Sequence, residues 1–532
     1  MEGALSRASP HLPQLIRELC DGDAYPHLPA RVELIETHIS WVFLAGDFAY
    51  KIKKPLALGF LDFRELEMRH FYCEEEIRLN QRFAPEIYIG VVKITLQNGR
   101  PRVDGQGVAI EYAVKMHRFD QELRLDKQLE SGLLRAEDMR ELGASIAARH
   151  ISADIVPDSQ REHVLALTES QMQDNFTALR SRIDDELLSP LYEWTQRALQ
   201  RLRPVIRQRF SQGFFRDCHG DLHLANLLRL PSGITTFDCI EFSRDLRYID
   251  VACDVAFLIM DLESKRRADL AAHFTNRYLE LSDDYGSMEL ADLYFVYRCL
   301  VRAKVAAIRA GERDSADAAR EDLHAALSYC KMATERAKTQ RPILLAMHGL
   351  SGSGKTWLSE RLLAQLPAVR IRSDRVRKNL AGLGETAHSG SAVGQGIYTE
   401  SADDAVYAQM RVRAVPVLQA AHNAILDATF LRHEQRELAR KLAADCGAAF
   451  LLIRTIAPGT ALEQRIRARA HSGTDASEAD LAVLRHQAGL IEPLSDEEIQ
   501  TTITVDTGDA DAVSKLAGRI RDLCGAMRPE SQ

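Results

Sequence analysis

One short stretch, Cys218-His-Gly-Asp-Leu-His-Leu-Ala-Asn-Leu-Leu228, gathers four groups able to do chemistry: His219, Asp221, His223 and Asn226. An apolar, strand-like run, Ile234-Thr-Thr-Phe237, follows it and ends at Asp238. Phosphoryl transfer from ATP to an alcohol uses such a set. One carboxylate orients and deprotonates the hydroxyl, while an amide and a second carboxylate hold Mg²⁺ on the phosphates. Asp221, Asn226 and Asp238 supply those three groups.

A second stretch carries another phosphate chemistry. Pro342-Ile-Leu-Leu-Ala-Met347 reads as a strand, His348 follows, and Gly349-Leu-Ser-Gly-Ser-Gly-Lys-Thr356 leads into a helix predicted over 357–366. In a Gly-x-x-x-x-Gly-Lys-Thr loop between strand and helix, backbone N–H groups cradle phosphates, here along Gly349, Ser351, Gly352, Ser353 and Gly354. Lys355 reaches the β- and γ-phosphates and Thr356 binds Mg²⁺. Val369-Arg-Ile-Arg-Ser-Asp374-Arg-Val-Arg377 reads as a strand ending in Asp-x-x-Arg, at the carboxyl end where α/β ligands bind. Ala424-Ile-Leu-Asp427 is a buried strand whose terminal Asp427 suits the Mg²⁺ shell, and Arg465 and Arg469 share a helix face at i and i+4, able to close over phosphates.

These groups need elements to hold them. Trp41-Val-Phe-Leu44 and Phe48-Ala-Tyr-Lys-Ile52 read as two strands around Ala45-Gly46-Asp47. A kinase-type small lobe needs such a hairpin, with a lysine on its later strand for the α- and β-phosphates; Lys51 takes that place, with Lys53 on the same face. A helix predicted over 69–83 carries Glu74-Glu-Glu76, one of which is expected to pair with the lysine. Thr37-His-Ile-Ser40 stands where a glycine-rich loop would precede the hairpin. Residues 107–116 read as a strand entering a hinge, with Met116 to Phe119 beside the adenine. Residues 121–210 are helical in pattern, and buried helices are expected over 251–262 and 290–309. The last carries Tyr297, Arg298, Arg302, Lys304 and Arg309, which are either a cationic set for an anionic substrate or a solvated face. A polar, Ala-rich stretch fraying near 338 marks a domain boundary: 1–337 and 338–532.

The chain has 532 residues, enough for two or three domains, and a net charge of −8. Residues 341–532 hold 23 basic and 23 acidic side chains, a balance of zero, so a nucleic-acid partner is disfavoured without being excluded. Nine cysteines without a Cys-x-x-Cys pair fit reduced thiols. No apolar run approaches the ~18 residues that span a bilayer, and no signal-peptide pattern opens the chain. A cytoplasmic protein with no membrane partner is expected.

His-Gly-Asp-Leu-His-x-x-Asn, with the strand and Asp238-Cys-Ile-Glu241-Phe, resembles the catalytic and metal-binding segments of aminoglycoside phosphotransferase-like kinases, relatives of the protein kinases. The resemblance implies Asp221 as catalytic base, Asn226 and Asp238 as Mg²⁺ ligands, and, by its spacing, Glu75 as the partner of Lys51. His219 and Asp250 are expected to brace the loop or to touch substrate. The C-terminal segments resemble small P-loop kinases of the polynucleotide 5′-kinase and gluconate-kinase type. That pattern implies that Asp374 activates the acceptor hydroxyl, with Arg377 beside it, and that Arg469 stabilises the transferring phosphate. Residues 384–404 are expected to be either a loop over the acceptor or a surface connection, and 477–487 to match the lid region.

Together these imply a kinase-like domain with a small β-rich lobe and a helical lobe, followed by a three-layer α/β/α domain with a parallel sheet. The implied activity is ATP- and Mg²⁺-dependent transfer of phosphate to a small-molecule hydroxyl. A nucleic-acid 5′-hydroxyl kinase and an ATP-binding regulatory module are the alternatives. The acceptor and the oligomeric state are not written in the sequence.

Overall fold

The computed structural model describes residues 13–58, 61–313, 315–338, 340–384, 399–472 and 481–526. The chain packs into two compact units, one of residues 1–134, 153–168 and 210–258, the other of 135–152, 169–209 and 259–532. The units do not divide at 338: helical segments from before that point pack in the same unit as the P-loop sheet.

The first unit is built on an antiparallel sheet of β1 (Val32–Glu36), β2 (Ser40–Ala45), β3 (Phe48–Lys53), β4 (Tyr88–Gln97), β5 (Arg100–Val103) and β6 (Ala109–His117), in the order β1-β2-β3-β6-β4-β5. Alternation along β3 separates two jobs. Tyr50 and Ile52 join a core with Tyr25, Val32 and Phe43, while Ala49 joins Cys73 and Ile77 of α1 (Leu66–Asn80) on the other face. That second face also carries Lys51 and Lys53. The tight turn before β2 is closed by Thr37, whose hydroxyl accepts from Ser40 N at 3.0 Å. A hairpin of β7 (Leu227–Leu230) and β8 (Gly233–Thr236), in register Leu227↔Thr236, brings the residues at its open end together, and Phe237 N donates to Asn226 O at 3.0 Å.

The second unit contains a parallel sheet of β9 (Ile343–His348), β10 (Val369–Arg372), β11 (Ala424–Asp427), β12 (Ala449–Ile456) and β13 (Thr502–Asp506), ordered β10-β11-β9-β12-β13. Every residue of β9 is buried, as expected of a parallel strand covered on both faces. The chain leaves β9 toward one edge and returns to its other side at β12, so the loop after β9 sits at the topological switch point where α/β folds bind ligands. Around the sheet lie α2 (Ala268–Ser282), α3 (Lys355–Leu362), α4 (Ser373–Leu380), α5 (Glu400–Gln419), α6 (Gly459–Ser472) and α7 (Leu481–Leu490). Among the described residues no helix is long and apolar enough to cross a membrane.

Candidate active sites

In the first unit, Lys51 Nζ lies 2.9 Å from Glu76 Oε1 and 2.6 Å from Asp238 Oδ1. Lys53 Nζ lies 2.8 Å from Glu76 Oε2 and also pairs with Glu241. Two ammonium groups thus face three carboxylates. Burial opposes the charge on Lys51, but Asp238, Glu76 and Glu241 outweigh it and hold its pKa well above the usual lysine range. Burial likewise opposes the charge on Glu76, and Lys51 and Lys53 reverse the effect, holding its carboxyl below the usual range.

The partner of Lys51 is Glu76 and not Glu75, which corrects the expectation from family spacing. The buried residues of α1 are Arg69, Cys73, Glu76, Ile77, Leu79 and Asn80, and Glu76 itself is fully buried. Glu75 stands about 100° round the helix from Glu76 and forms an exposed pair with Arg78 at 2.8 Å.

The loop before β7 holds Asp221 through Asn226, whose Nδ2 donates to Asp221 Oδ2 at 2.9 Å, and through His223 Nε2 at 3.3 Å from the same oxygen. The Asp221 side chain is 37% exposed, so it can meet a substrate. Asp254 braces the loop, its carboxylate accepting from His219 N at 3.1 Å and Gly220 N at 2.9 Å. Asp250 accepts from Ala252 N at 2.9 Å, at the start of the following helix. His219 Nε2 contacts Phe237 O at 3.0 Å, and burial lowers its pKa. Asp238 adopts a left-handed φ of +59°, a strained conformation for a side-chain residue, and its N–H donates to Tyr88 Oη at 3.0 Å. Met116, Phe119 and Phe237 join one apolar cluster with Ala49 and Leu228, with Phe119 and Phe237 edge to face at 5.2 Å.

In the second unit, a cavity of about 650 Å³ opens at the carboxyl end of the parallel sheet. It is lined by Ser351, Gly352, Gly354, Lys355, Thr356 and Asp427 on one side, and by Asp374, Arg377, Asp403 and Arg432 on another. Gly349, Gly352 and Gly354 take φ values of +145°, +82° and +93°, which turn the loop tightly around its own amides. Lys355 Nζ donates to the carbonyls of Gly349 and Leu350, both at 2.9 Å, placing its ammonium against the loop. Ser353 supports the loop from behind, its Oγ 2.7 Å from Thr455 Oγ1. Asp427, 4% exposed, accepts from Ser359 Oγ at 2.8 Å and lies 3.5 Å from Thr356 Oγ1.

Asp374 and Arg377 lie at i and i+3 in α4, which starts directly after the end of β10, with Asp374 in its first turn. Arg377 pairs with Asp403 at 2.6 Å. Arg465 is held on the loop, donating to Gly352 O at 3.3 Å and Thr507 Oγ1 at 2.8 Å. The backbone of Arg469 belongs to α6, but its side chain lies outside the described residues, as do residues 385–398 of the expected acceptor loop and 477–480 of the expected lid region. Gln487 of α7, the last residue of the expected lid region, accepts from Ser351 N at 2.9 Å through Oε1. Burial of His348 lowers its pKa to about 4, and its Nδ1 lies 3.0 Å from Phe430 O. On the helix Ala291–Glu312, Tyr297 and Arg298 are buried. Arg309 pairs with Asp322 at 2.9 Å, Arg302 stacks over Tyr329, and Tyr297 donates to Gln171.

Residues 108–291 match the phosphotransferase enzyme family and residues 344–494 match an AAA domain. With the sites above, these make the chain a phosphotransferase of the kinase class, in which a kinase-like fold is followed by a P-loop kinase fold. It belongs to the same family as the uncharacterized proteins Rv2004c of Mycobacterium tuberculosis (strain H37Rv) and Mb2027c of Mycobacterium bovis. It is 30% identical to each over 459 residues, 85% of this chain and 89% of the relative. Among solved structures it is similar to a choline kinase from Cryptosporidium parvum (15% identity, 60% of this chain, 96% of that chain, TM-score 0.35). It is also similar to a gluconokinase from Sinorhizobium meliloti (17% identity, 35% of this chain, 97% of that chain, TM-score 0.26).

Proposed function

We propose that the protein is an ATP- and Mg²⁺-dependent phosphotransferase with two nucleotide sites, divided functionally near residue 338. Each site moves the γ-phosphoryl group of ATP to a hydroxyl of a small molecule such as a sugar, an amino sugar or a similar alcohol. The observation that carries this reading is Lys51 held between Glu76 and Asp238, since a lysine fixed by a helix glutamate beside a metal-ligating aspartate is the arrangement phosphoryl transfer needs.

The donor groups suit the cofactors. Asn226 spends its Nδ2 on Asp221, leaving the amide oxygen to ligate a cation, and Asp238 presents a half-exposed carboxylate. In the P-loop cavity the hydrogen-bond partners of the buried Asp427 among the described residues are two hydroxyls, and Asp427 and Thr356 would hold a divalent cation there. Mg²⁺ bound at these groups would neutralise charge on the transferring phosphate. Lys51 holds the α- and β-phosphates at the first site, and Asp221 takes the proton of the acceptor hydroxyl. At the second, the amides of residues 349–356 and Lys355 hold the phosphates, Asp374 takes the hydroxyl proton, and Arg377 and Arg469 offset charge on the moving group. Catalysis at both is positioning and charge neutralisation, with no covalent intermediate on the protein.

The test is transfer of γ-³²P from ATP to a panel of aminoglycosides, sugars, nucleosides, and 5′-hydroxyl RNA and DNA, with wild type, Asp221→Ala and Lys355→Ala. A small-molecule product lost in one variant and kept in the other assigns that chemistry to one site. Transfer to nucleic acid alone, or to nothing, refutes the reading.

A further inference from the structure

One edge of the P-loop sheet is β10, the strand that leads directly into Asp374 and Arg377, and a side chain pairs with its backbone there. Asn276 of α2 is 4% exposed. Its Nδ2 donates to Ala368 O at 2.9 Å and its Oδ1 accepts from Arg370 N at 2.6 Å. The carbonyl of one residue and the N–H of the residue two further on are the pair that a neighbouring parallel strand would engage. The amide of Asn276 therefore stands in for one peptide of a sixth strand. Its remaining donor bonds to Ala272 O at 2.8 Å, which ties it to its own helix.

The contact extends toward the reacting groups. Glu280, one turn further along α2, is buried, with Oε1 3.7 Å from Arg370 and 3.9 Å from Arg372, and its carbonyl accepts from Arg375. The Arg370 guanidinium reaches Ser359 Oγ at 3.4 Å, and Ser359 donates to Asp427. Ala272 packs into the hydrophobic core of the sheet with Leu362, Leu366 and Ala368.

We propose that Asn276, supported by Glu280, is a positioning residue for the P-loop site: α2, from the segment before residue 338, closes the sheet edge and fixes the strand end from which Asp374 approaches the acceptor. This rests on the proposed phosphotransfer at that site. Loss of the Asn276 amide frees β10 to shift against the phosphate loop, which springs from β9 and is not touched by Asn276. The turnover number falls while ATP binding is kept.

The experiment compares the full chain with Asn276→Ala and Glu280→Gln, all in an Asp221→Ala background so that only the P-loop site turns over. ATP is the phosphate donor, and the acceptor is the best compound of the panel above, or water if none is used. Competent sites are counted by titration with a fluorescent ATP analogue, which removes any misfolded fraction. The expected result for Asn276→Ala is a kcat per competent site lower by about tenfold to a hundredfold, the cost of displacing a reacting group by about 1 Å. The KM for ATP stays within about twofold, and Glu280→Gln shows a smaller loss of the same kind. An unchanged kcat per competent site overturns the proposal whatever happens to Tm, and so does a parallel loss of kcat and ATP affinity. If Lys355→Ala in the same background turns over ATP as fast as its parent, the reading of the site itself falls. Hydrogen exchange at the Arg370 amide then decides the edge-closing role, unchanged exchange in Asn276→Ala refuting it and faster exchange supporting it.

Discussion

Lys51 Nζ and Asp238 Oδ1 lie 2.6 Å apart although 187 residues separate them. One ion pair thereby joins the six-stranded sheet to the segment that follows the β7–β8 hairpin, and Glu76 ties Lys51 to α1. Replacing Glu76 leaves two lysines against fewer carboxylates in a buried setting, and breaking such a pair costs about 3–5 kcal/mol. Glu76→Gln is therefore expected to lower the urea midpoint and to reduce Asp221-dependent turnover by about 100-fold, the scale for removing one preorganised charge partner. Glu75→Gln, on the Arg78 side of the helix, is expected to change both little. Equal effects of the two substitutions would contradict the assignment.

Asp254 should matter to the first site without touching substrate. Its carboxylate accepts from the N–H groups of His219 and Gly220, and leaving a buried donor unpaired costs about 1–3 kcal/mol. Asp254→Ala is expected to cut Asp221-dependent turnover more than about tenfold, while the Lys355-dependent turnover of the same protein stays at the wild-type level. Steady-state kinetics in the two single-site backgrounds checks this.

Gly354 has room for nothing larger. A Cβ there would lie 2.9 Å from Cβ and Cγ2 of Thr507, at a φ of +93° that costs a side-chain residue about 1–2 kcal/mol before any clash. Gly354→Ala is expected to abolish nucleotide binding at the P-loop site and to lower Tm by several degrees. Nucleotide titration and calorimetry measure both.

His348 makes stability depend on pH. Burial depresses its folded-state pKa from 6.5 to about 4, so the unfolded chain binds the extra proton first. The stabilisation is fully present above pH 6.5 and is lost as pH falls toward about 4. The urea midpoint should drop between pH 7 and pH 5 more in wild type than in His348→Asn, whose amide can still donate to Phe430 O. Parallel pH profiles would show that His348 does not carry the effect.

Local patterns in the sequence carried much of this. Strand β3 with Lys51, the loop with Asp221 and Asn226, and the run from β9 through Thr356 are each set by residues close together in the chain, so period and turn chemistry reveal them. What escaped depends on packing between distant segments. Glu76 was in view, but choosing it over Glu75 needed the phase of the buried face of α1. Asp254 looks like any residue in an apolar helix until its carboxylate meets two amides 34 and 35 positions away. Asn276 carries no motif, because an amide that binds a backbone group is defined only by where the fold delivers it. The same holds for the grouping of α2 with the P-loop sheet, which a boundary drawn at 338 on composition does not foresee.

The most direct measurement of the central proposal is the stoichiometry of a non-hydrolysable ATP analogue with Mg²⁺, by isothermal titration calorimetry on wild type, Lys51→Met, Lys355→Ala and the double variant. Two sites are expected in wild type, one in each single variant and none in the double. A single site in wild type that disappears with one lysine and is indifferent to the other would contradict a protein with two nucleotide sites.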